Sequence, residues 1–246
     1  MTERPLYTAR LIHQEMLSEV TETKHLVFEV EELQQFDFTA GQFISMVAPK
    51  NGKPMTRAYS LASAPRGNQF DLCLNRVSDG FFSNLLCDMR DGDTVGFHGP
   101  HGNFVLRNPL RDSLLIATGT GIAPIRGFVQ WLFAERGRSE GSEIHLVYGT
   151  RYPSDIYYED YFRSVAADFP NFKYVVTLSR AGDEWQGGRG YVQQHIREII
   201  AARPDAKPNL MDAYICGLND MVSHVRKMLK EELGWDRKQI IFERYD

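Results

Sequence analysis

A chain of 246 residues, 43% hydrophobic and 24% charged with a formal net charge of −4, has the make-up of a globular protein long enough for two domains. That charge balance excludes a general nucleic-acid binder, and no apolar stretch reaches spanning length, so membrane insertion is not expected. The opening Met1-Thr2-Glu3-Arg4-Pro5-Leu6-Tyr7 lacks a signal core, and Cys73, Cys87 and Cys216 show neither disulfide nor metal-ligand spacing. A cytoplasmic protein with no metal centre is expected.

Residues 1–105 read as an all-β domain. Strands are predicted at Ala9–Leu17, His25–Glu31, Gln42–Ala48, Ala58–Ala62, Phe70–Val77 and Thr94–His98, alternating as in Phe70, Leu72 and Leu74 and parted by Gly, Pro, Asn and Asp turns. Short strands at this spacing predict a small antiparallel β-barrel. One helix, Phe81–Met89, interrupts them. Residues 103–112, with Asn103, Asn108 and Pro109, read as a linker.

Residues 112–246 change pattern. Strands at 114–118, 143–149, 172–178, 212–216 and 239–244 alternate with helices at 124–136, 156–168, 191–203 and 220–233. That order predicts a doubly wound parallel sheet with ligand at the carboxyl ends of its strands. At its head, Leu114-Leu115-Ile116-Ala117 is a buried strand, Gly119 and Gly121 permit a tight turn, and Pro124 suits the first turn of a helix. Strand, glycine turn and helix N-terminus together make a pyrophosphate site. The turn departs from G-x-G-x-x-G, because Pro124 replaces the third glycine, and Arg151 follows the next strand where a ribose-binding acid is usual.

Arg57-Ala58-Tyr59-Ser60, Gly80-Phe81-Phe82-Ser83-Asn84, the 119–124 turn, Cys216-Gly217-Leu218 and the terminal Phe242-Glu243-Arg244-Tyr245 stand in one order along the chain. In that order they resemble the motifs of ferredoxin–NADP reductases and the flavin reductase modules of oxygenases. The resemblance covers nearly the whole chain and implies an FAD-binding barrel followed by a nucleotide-binding domain.

It also implies roles. Arg57 would bind the flavin pyrophosphate bidentately, Tyr59 would pack on the isoalloxazine, and Ser60 would approach flavin N5. Gly80 and the amides of Phe81, Phe82 and Ser83 would face the second phosphate, although Ser83 could simply cap the helix. Thr120 and Gly217 would contact the pyridine nucleotide, with Cys216 beside the reacting carbon; a buried strand-end thiol is the alternative. Ser179, Arg180 and Arg189 would surround the 2′-phosphate of NADPH, in a loop expected to be loose around Gly187 and Gly188, and Tyr191 would stack on adenine. Trp185-Gln186-Gly187 echoes NADH-using relatives, so NADH stays possible. Glu243 would serve redox and proton exchange, and Tyr245, followed here by Asp246, would cover the flavin face.

The activity implied is FAD-dependent electron transfer between NADPH and a one-electron carrier such as ferredoxin or flavodoxin, by hydride transfer between nicotinamide and flavin N5. The alternatives are an NADH-dependent reductase component of an oxygenase system and a free flavin reductase. A non-catalytic nucleotide sensor would need the glycine turn but not Ser60, Cys216 or Glu243. Gly137-Arg138-Ser139-Glu140-Gly141 matches the hydrolase nucleophile elbow literally, but a helix precedes it and a strand follows, the reverse of what that motif needs. Arg4, Arg10, Lys50, Lys53 and Arg66 are scattered cations that could face an acidic carrier.

Overall fold

Inward-facing Ala9, Leu11, Leu26, Phe28 and Val30 give the first strands one buried row each. In the computed structural model, which describes residues 5–134, 137–139, 141–203 and 211–245, these strands belong to an antiparallel six-stranded sheet. Its strands are β1 (Tyr7–Ser18), β2 (Thr23–Val30), β3 (Phe43–Lys50), β4 (Lys53–Ser60), β5 (Gln69–Asn75) and β6 (Thr94–His101), ordered β4-β3-β6-β1-β2-β5. A bridge between Leu61 and Leu72 and a 2.7 Å bond from Ala62 N to Asp71 O bring the end of β4 back to β5 and curl the sheet into a barrel. Phe28, Phe36, Phe70 and Phe97 fill it, with ring centroids 5.3–5.8 Å apart between neighbours. Helix α1 (Phe81–Asp88) adds Phe82 and Leu86 to the same core.

The second sheet is parallel, of β7 (Asp112–Thr118), β8 (Ile144–Thr150), β9 (Phe172–Leu178), the two-residue β10 (Gly188–Arg189), β11 (Met211–Leu218) and β12 (Ile240–Tyr245). Their order is β10-β9-β8-β7-β11-β12. The helices are α2 (Ile122–Phe133), α3 (Glu159–Asp168), α4 (Val192–Ala201) and α5 (Asn219–Lys227), the last continuing as a π-helical turn over Met228–Glu232. Strands β7 and β11 are interior to the sheet and almost wholly buried, as befits strands covered on both faces.

The chain divides into two compact units: one runs up to Leu106 and includes Arg126–Trp131, the other takes Arg107–Ile125 and the chain from Leu132 onward. In the first, the carboxylate of Asp71 is buried at 1% exposure and accepts from Arg126 Nη1 at 2.9 Å and Arg66 Nη2 at 3.3 Å, with His25 Nε2 at 3.5 Å. Burial pushes His25 down to about 4, against the pull of Asp71. In the second, the middle of the expected linker is bonded down: Arg107 donates through its backbone N–H to Tyr214 Oη at 2.9 Å and through Nη1 to Asp212 Oδ1 at 3.2 Å.

Several predicted boundaries move. Strand β4 begins at Lys53 rather than Ala58, because Asn51 (φ 51°) and Gly52 (φ 74°) make a two-residue hairpin turn after Lys50. Arg57 therefore lies inside the strand rather than ahead of it. Helix α2 begins at Ile122, after a 3-10 turn over Gly119–Gly121, and ends at Phe133; residues 135 and 136, predicted helical, lie outside the described residues. Strand β10 had no period to betray it at two residues.

Candidate functional site

In the first unit the site rests on an edge strand and a helix start. Lys53 to Ala58 of β4 are exposed on both faces of the sheet edge, Arg57 and Ala58 among them. Tyr59, opposite Ile44, is half-buried, and burial pushes its hydroxyl up to about 12 while Arg57 opposes the shift. Ser60, opposite Phe43, is buried at the strand's end. Gly80 precedes α1 in extended conformation and supplies no side-chain cap.

Ser83 does not cap that helix. Its Oγ accepts from Val77 N at 3.1 Å and donates to Gly80 O at 3.2 Å, tying down the loop that leads in. A Cβ on Gly80 would come within 2.4 Å of that oxygen. Asn84 Nδ2 donates to the carbonyls of Val77 and Gly80, and Arg76 Nη1 holds Asn84 Oδ1 at 2.8 Å. The loop is thereby fixed, with the amides of Phe81, Phe82 and Ser83 opening a helix that offers them no internal acceptor. Phe82 is buried and Phe81 half-exposed. A surface cation on one strand and a row of helix-opening amides form a donor set suited to a diphosphate.

The second unit uses backbone. Gly119 takes φ +54° and starts the turn. At Gly121 an added Cβ would lie 2.4 Å from Cys216 O and 2.7 Å from Gly217 Cα, so the turn after β7 and the end of β11 touch main chain to main chain. Gly217, at φ +143°, would put a Cβ 2.3 Å from Thr118 Oγ1. That hydroxyl oxygen is buried with no hydrogen-bond partner in the described structure. A bare turn, two glycine contacts and an orphaned hydroxyl make a cradle that fits a nucleotide's polar end. Thr120 stands half-exposed in the turn.

Register does the rest. Parallel pairing of β11 with β12 sets Cys216 beside Glu243 and Leu218 beside Tyr245, so Cys216, Glu243 and Tyr245 share one face of the sheet. Cys216 is fully buried, and that burial pushes its thiol well above the usual range; the Glu243 carboxylate adds to the shift and a hydrogen bond with Tyr245 opposes it. The thiol stays protonated, a packing group rather than a nucleophile. Asp246 lies outside the described residues.

At the ends of β8 and β9 sit Arg151, Ser179 and Arg180, all exposed. Ser179 donates through N–H and Oγ to Thr150 O at 3.0 and 3.3 Å. Arg180 Nη1 donates to Tyr152 Oη at 3.3 Å, and this bond raises the guanidinium further. Tyr191 precedes α4 and is 73% exposed, a ring face open to a planar partner.

Arg189 differs from the sequence reading. It donates to the carbonyls of Ala181, Gly182, Asp183 and Trp185, while Trp185 Nε1 donates to Gly188 O at 2.9 Å. The loop expected to be loose is stitched by its own cation.

Of the scattered cations, Arg10 is paired with Glu31 and Arg66 with Asp71, while Arg4 lies outside the described residues. Lys50 was missed as a site residue: its Nζ stands 5.4 Å from the Phe81 ring centroid, beside the α1 start. The signal was its place before Asn51-Gly52. Tyr152 was missed as well, though it follows Arg151 directly. Ser139, the elbow's serine, is 5% exposed and accepts from Asn171 Nδ2 at 3.3 Å; Glu140 lies outside the described residues.

Comparison with known proteins gives two family matches. Residues 8–106 match the oxidoreductase FAD-binding domain and residues 115–227 the oxidoreductase NAD-binding domain. The chain is 38% identical to ferredoxin–NADP reductase B of Sorangium cellulosum, over the full length of both. It is 30% identical to the toluate 1,2-dioxygenase electron transfer component of Pseudomonas putida, matching with 94% of its own length and 65% of that protein's. Among solved structures, a cytochrome P450 reductase of Amycolatopsis superposes with a TM-score of 0.83 at 26% identity, covering 99% of this chain and 71% of that one. Among the described residues no helix is long and apolar enough to cross a membrane.

Proposed function

The chain belongs to the ferredoxin–NADP reductase family, and on that footing we propose that it moves electrons between NADPH and a one-electron carrier protein by hydride transfer between nicotinamide and flavin N5. The observation that carries this reading is the in-register face of Cys216, Glu243 and Tyr245 at the carboxyl end of β11 and β12, in a chain matching ferredoxin–NADP reductase B end to end. A sensor needs no such face. Bound FAD supplies the conversion between two-electron and one-electron transfer that no side chain performs.

This chain's residues divide the work. Arg57 and the amides opening α1 hold the diphosphate, Tyr59 packs beside the ring system, and Ser60 positions a hydroxyl at its reacting edge. Gly119, Thr120, Gly121 and Gly217 give main-chain access to the nucleotide. Cys216, uncharged, packs without blocking approach, and Glu243 relays protons. Tyr245 covers the face that nicotinamide must reach. Arg151, Ser179 and Arg180 favour the 2′-phosphate, with Arg189 shaping their loop and Tyr191 stacking on adenine. Three buried cysteines outside any disulfide suit a reducing cytoplasm. Ferredoxin or flavodoxin is the carrier class, and Lys53, exposed beside Lys50, is the cation of the β3–β4 hairpin left for it.

The deciding experiment is anaerobic reduction of the yellow protein by NADPH and by NADH, followed by addition of ferredoxin or flavodoxin. Bleaching by NADPH and reoxidation by the carrier are expected. A better kcat/KM with NADH would move the oxygenase-component reading ahead.

A further inference from the structure

The two-residue strand β10 and the residue after it are held by one imidazole. His195, in the opening turn of α4, has only 13% of its side chain exposed. Its Nε2 stands 3.0 Å from Thr177 Oγ1 and 3.3 Å from Arg189 O. We propose that His195 is a positioning residue for nucleotide specificity. Through Thr177 it fixes the backbone between Arg189 and Tyr191, and with it the span from Tyr191 to Ser179 and Arg180 that only a 2′-phosphorylated dinucleotide bridges. The proposal rests on the NADPH reading above and names a residue outside the groups that reading assigns to the nucleotide.

Counting protons fixes the role of the ring. Thr177 has one hydroxyl proton, and it goes to Gly190 O at 3.0 Å. Toward His195 the hydroxyl oxygen can then only accept, and Arg189 O, a carbonyl, can only accept as well. Both contacts therefore need the proton on Nε2. Nδ1 faces Glu198 Oε2 at 3.3 Å, one turn along the helix, and Gln194 Nε2 donates to Glu198 Oε1 at 3.2 Å. The imidazole is oriented from its own helix while it donates toward β9 and β10.

The carbonyls held in this way are consecutive. Arg189 O accepts from the imidazole, and Gly190 O accepts from Thr177, a fully buried residue of β9. Gly190 N secures the same peptide from its other end, donating to Leu178 O at 3.0 Å. A Cβ on Gly188 would lie 2.6 Å from Val176 O and 3.1 Å from the His195 ring, so no slack separates β10 from either. Tyr191 follows Gly190 directly, and Ser179 and Arg180 follow Leu178. The clamp thus joins the adenine platform to the phosphate corner. NAD(H) uses the platform alone and is indifferent to the span. NADP(H) must engage both ends at once, and a span fixed in advance spares it the cost of ordering them.

The test is binding rather than turnover. NADP+ and NAD+ are titrated separately into the oxidised holoenzyme, for the unaltered protein and for His195→Leu, His195→Gln and Thr177→Val. The unaltered protein is expected to bind NADP+ more tightly. His195→Leu removes the donor and Thr177→Val the relay; each should raise the NADP+ Kd roughly threefold to tenfold and shift the NAD+ Kd by less than about twofold. Thr177→Val nearly keeps the side-chain shape, so it carries the comparison even if His195→Leu misfolds. His195→Gln, whose amide also donates, should recover most of the loss, which a space-filling role would not predict. Tighter binding of NAD+ by the unaltered protein overturns the NADPH reading itself. Equal loss of both nucleotides, no loss of either, or a glutamine as weak as leucine overturns the positioning role alone.

Discussion

The two units reach their ligands by opposite means. The barrel presents side chains: β4 is exposed on both faces, and Arg57 and Tyr59 project from it toward the groups they would hold. The parallel sheet presents main chain: without side chains, Gly121 and Gly217 let the ends of β7 and β11 touch, and the turn they hold in place is the candidate nucleotide cradle. Polar burial divides differently. The barrel hides the ion pair of Asp71 and Arg126 with an uncharged His25 beside it, while the working face of the sheet hides an uncharged thiol. An edge strand tolerates substitution of its side chains one at a time; a glycine contact between two backbones tolerates almost none.

The sharpest way to break that contrast is Gly121→Ala. Its Cβ would meet backbone atoms of Cys216 and Gly217 that cannot rotate away, so a loss of about 3 kcal/mol is expected, the top of the usual overpacking range. Thermal unfolding should show it, with nucleotide affinity lost and flavin content retained in what folds. Unchanged nucleotide binding would mean that the sheet's site is not built on backbone contact.

Next in size is the barrel's buried imidazole. His25 has a folded pKa of about 4 against 6.5 in the unfolded chain. The unfolded chain therefore takes up the proton first as pH falls. Stability is full above pH 6.5, drops through the window down to about 4 and levels off below it, by up to about 3 kcal/mol. Denaturant titrations across that window, compared between the unaltered protein and His25→Leu, should show the slope only in the former. Equal slopes would assign the acid sensitivity to other groups.

Arg180→Ala tests a side chain on the sheet that behaves like those of the barrel. A hydrogen bond to a charged group contributes about 1.5–3 kcal/mol, so NADPH should bind roughly tenfold to a hundredfold more weakly while NADH is untouched. Matching losses for the two nucleotides would remove the 2′-phosphate from this corner. The smallest effect is expected at Gly119→Ala: nothing lies within 4 Å of a new Cβ, and only the left-handed φ of +54° is strained, a cost of about 1–2 kcal/mol visible as a modest fall in Tm.

Legibility in the sequence followed the same division. Long alternating or apolar runs such as Phe70-Asp71-Leu72 and Leu114–Ala117 placed both sheets, because burial on one face or two leaves a period. The site glycines were legible as residues, but not their reason: only the structure shows that Gly121 yields to Cys216, since strands a hundred residues apart leave no trace of adjacency in either. Asn51-Gly52 was a readable hairpin signal passed over, and with it the full length of β4 and the place of Lys50. Arg189 was read as a ligand-facing cation because composition cannot tell a guanidinium aimed outward from one spent on the carbonyls of its own loop.

The place of β11, between β7 and β12 in the sheet but late in the chain, has a consequence for biosynthesis. The turn after β7 finds its abutting strand only at Cys216 and Gly217, late in the chain, whereas every segment of the barrel unit has been made once Trp131 has left the ribosome. Domains fold as units during translation, the amino-terminal one first, and pairings distant in sequence form last. The nascent chain is thus able to take up flavin before any nucleotide cradle exists. A ribosome stalled after Trp131 has emerged, but before β11 is made, would carry a coloured protein with no means of being reduced by NADPH.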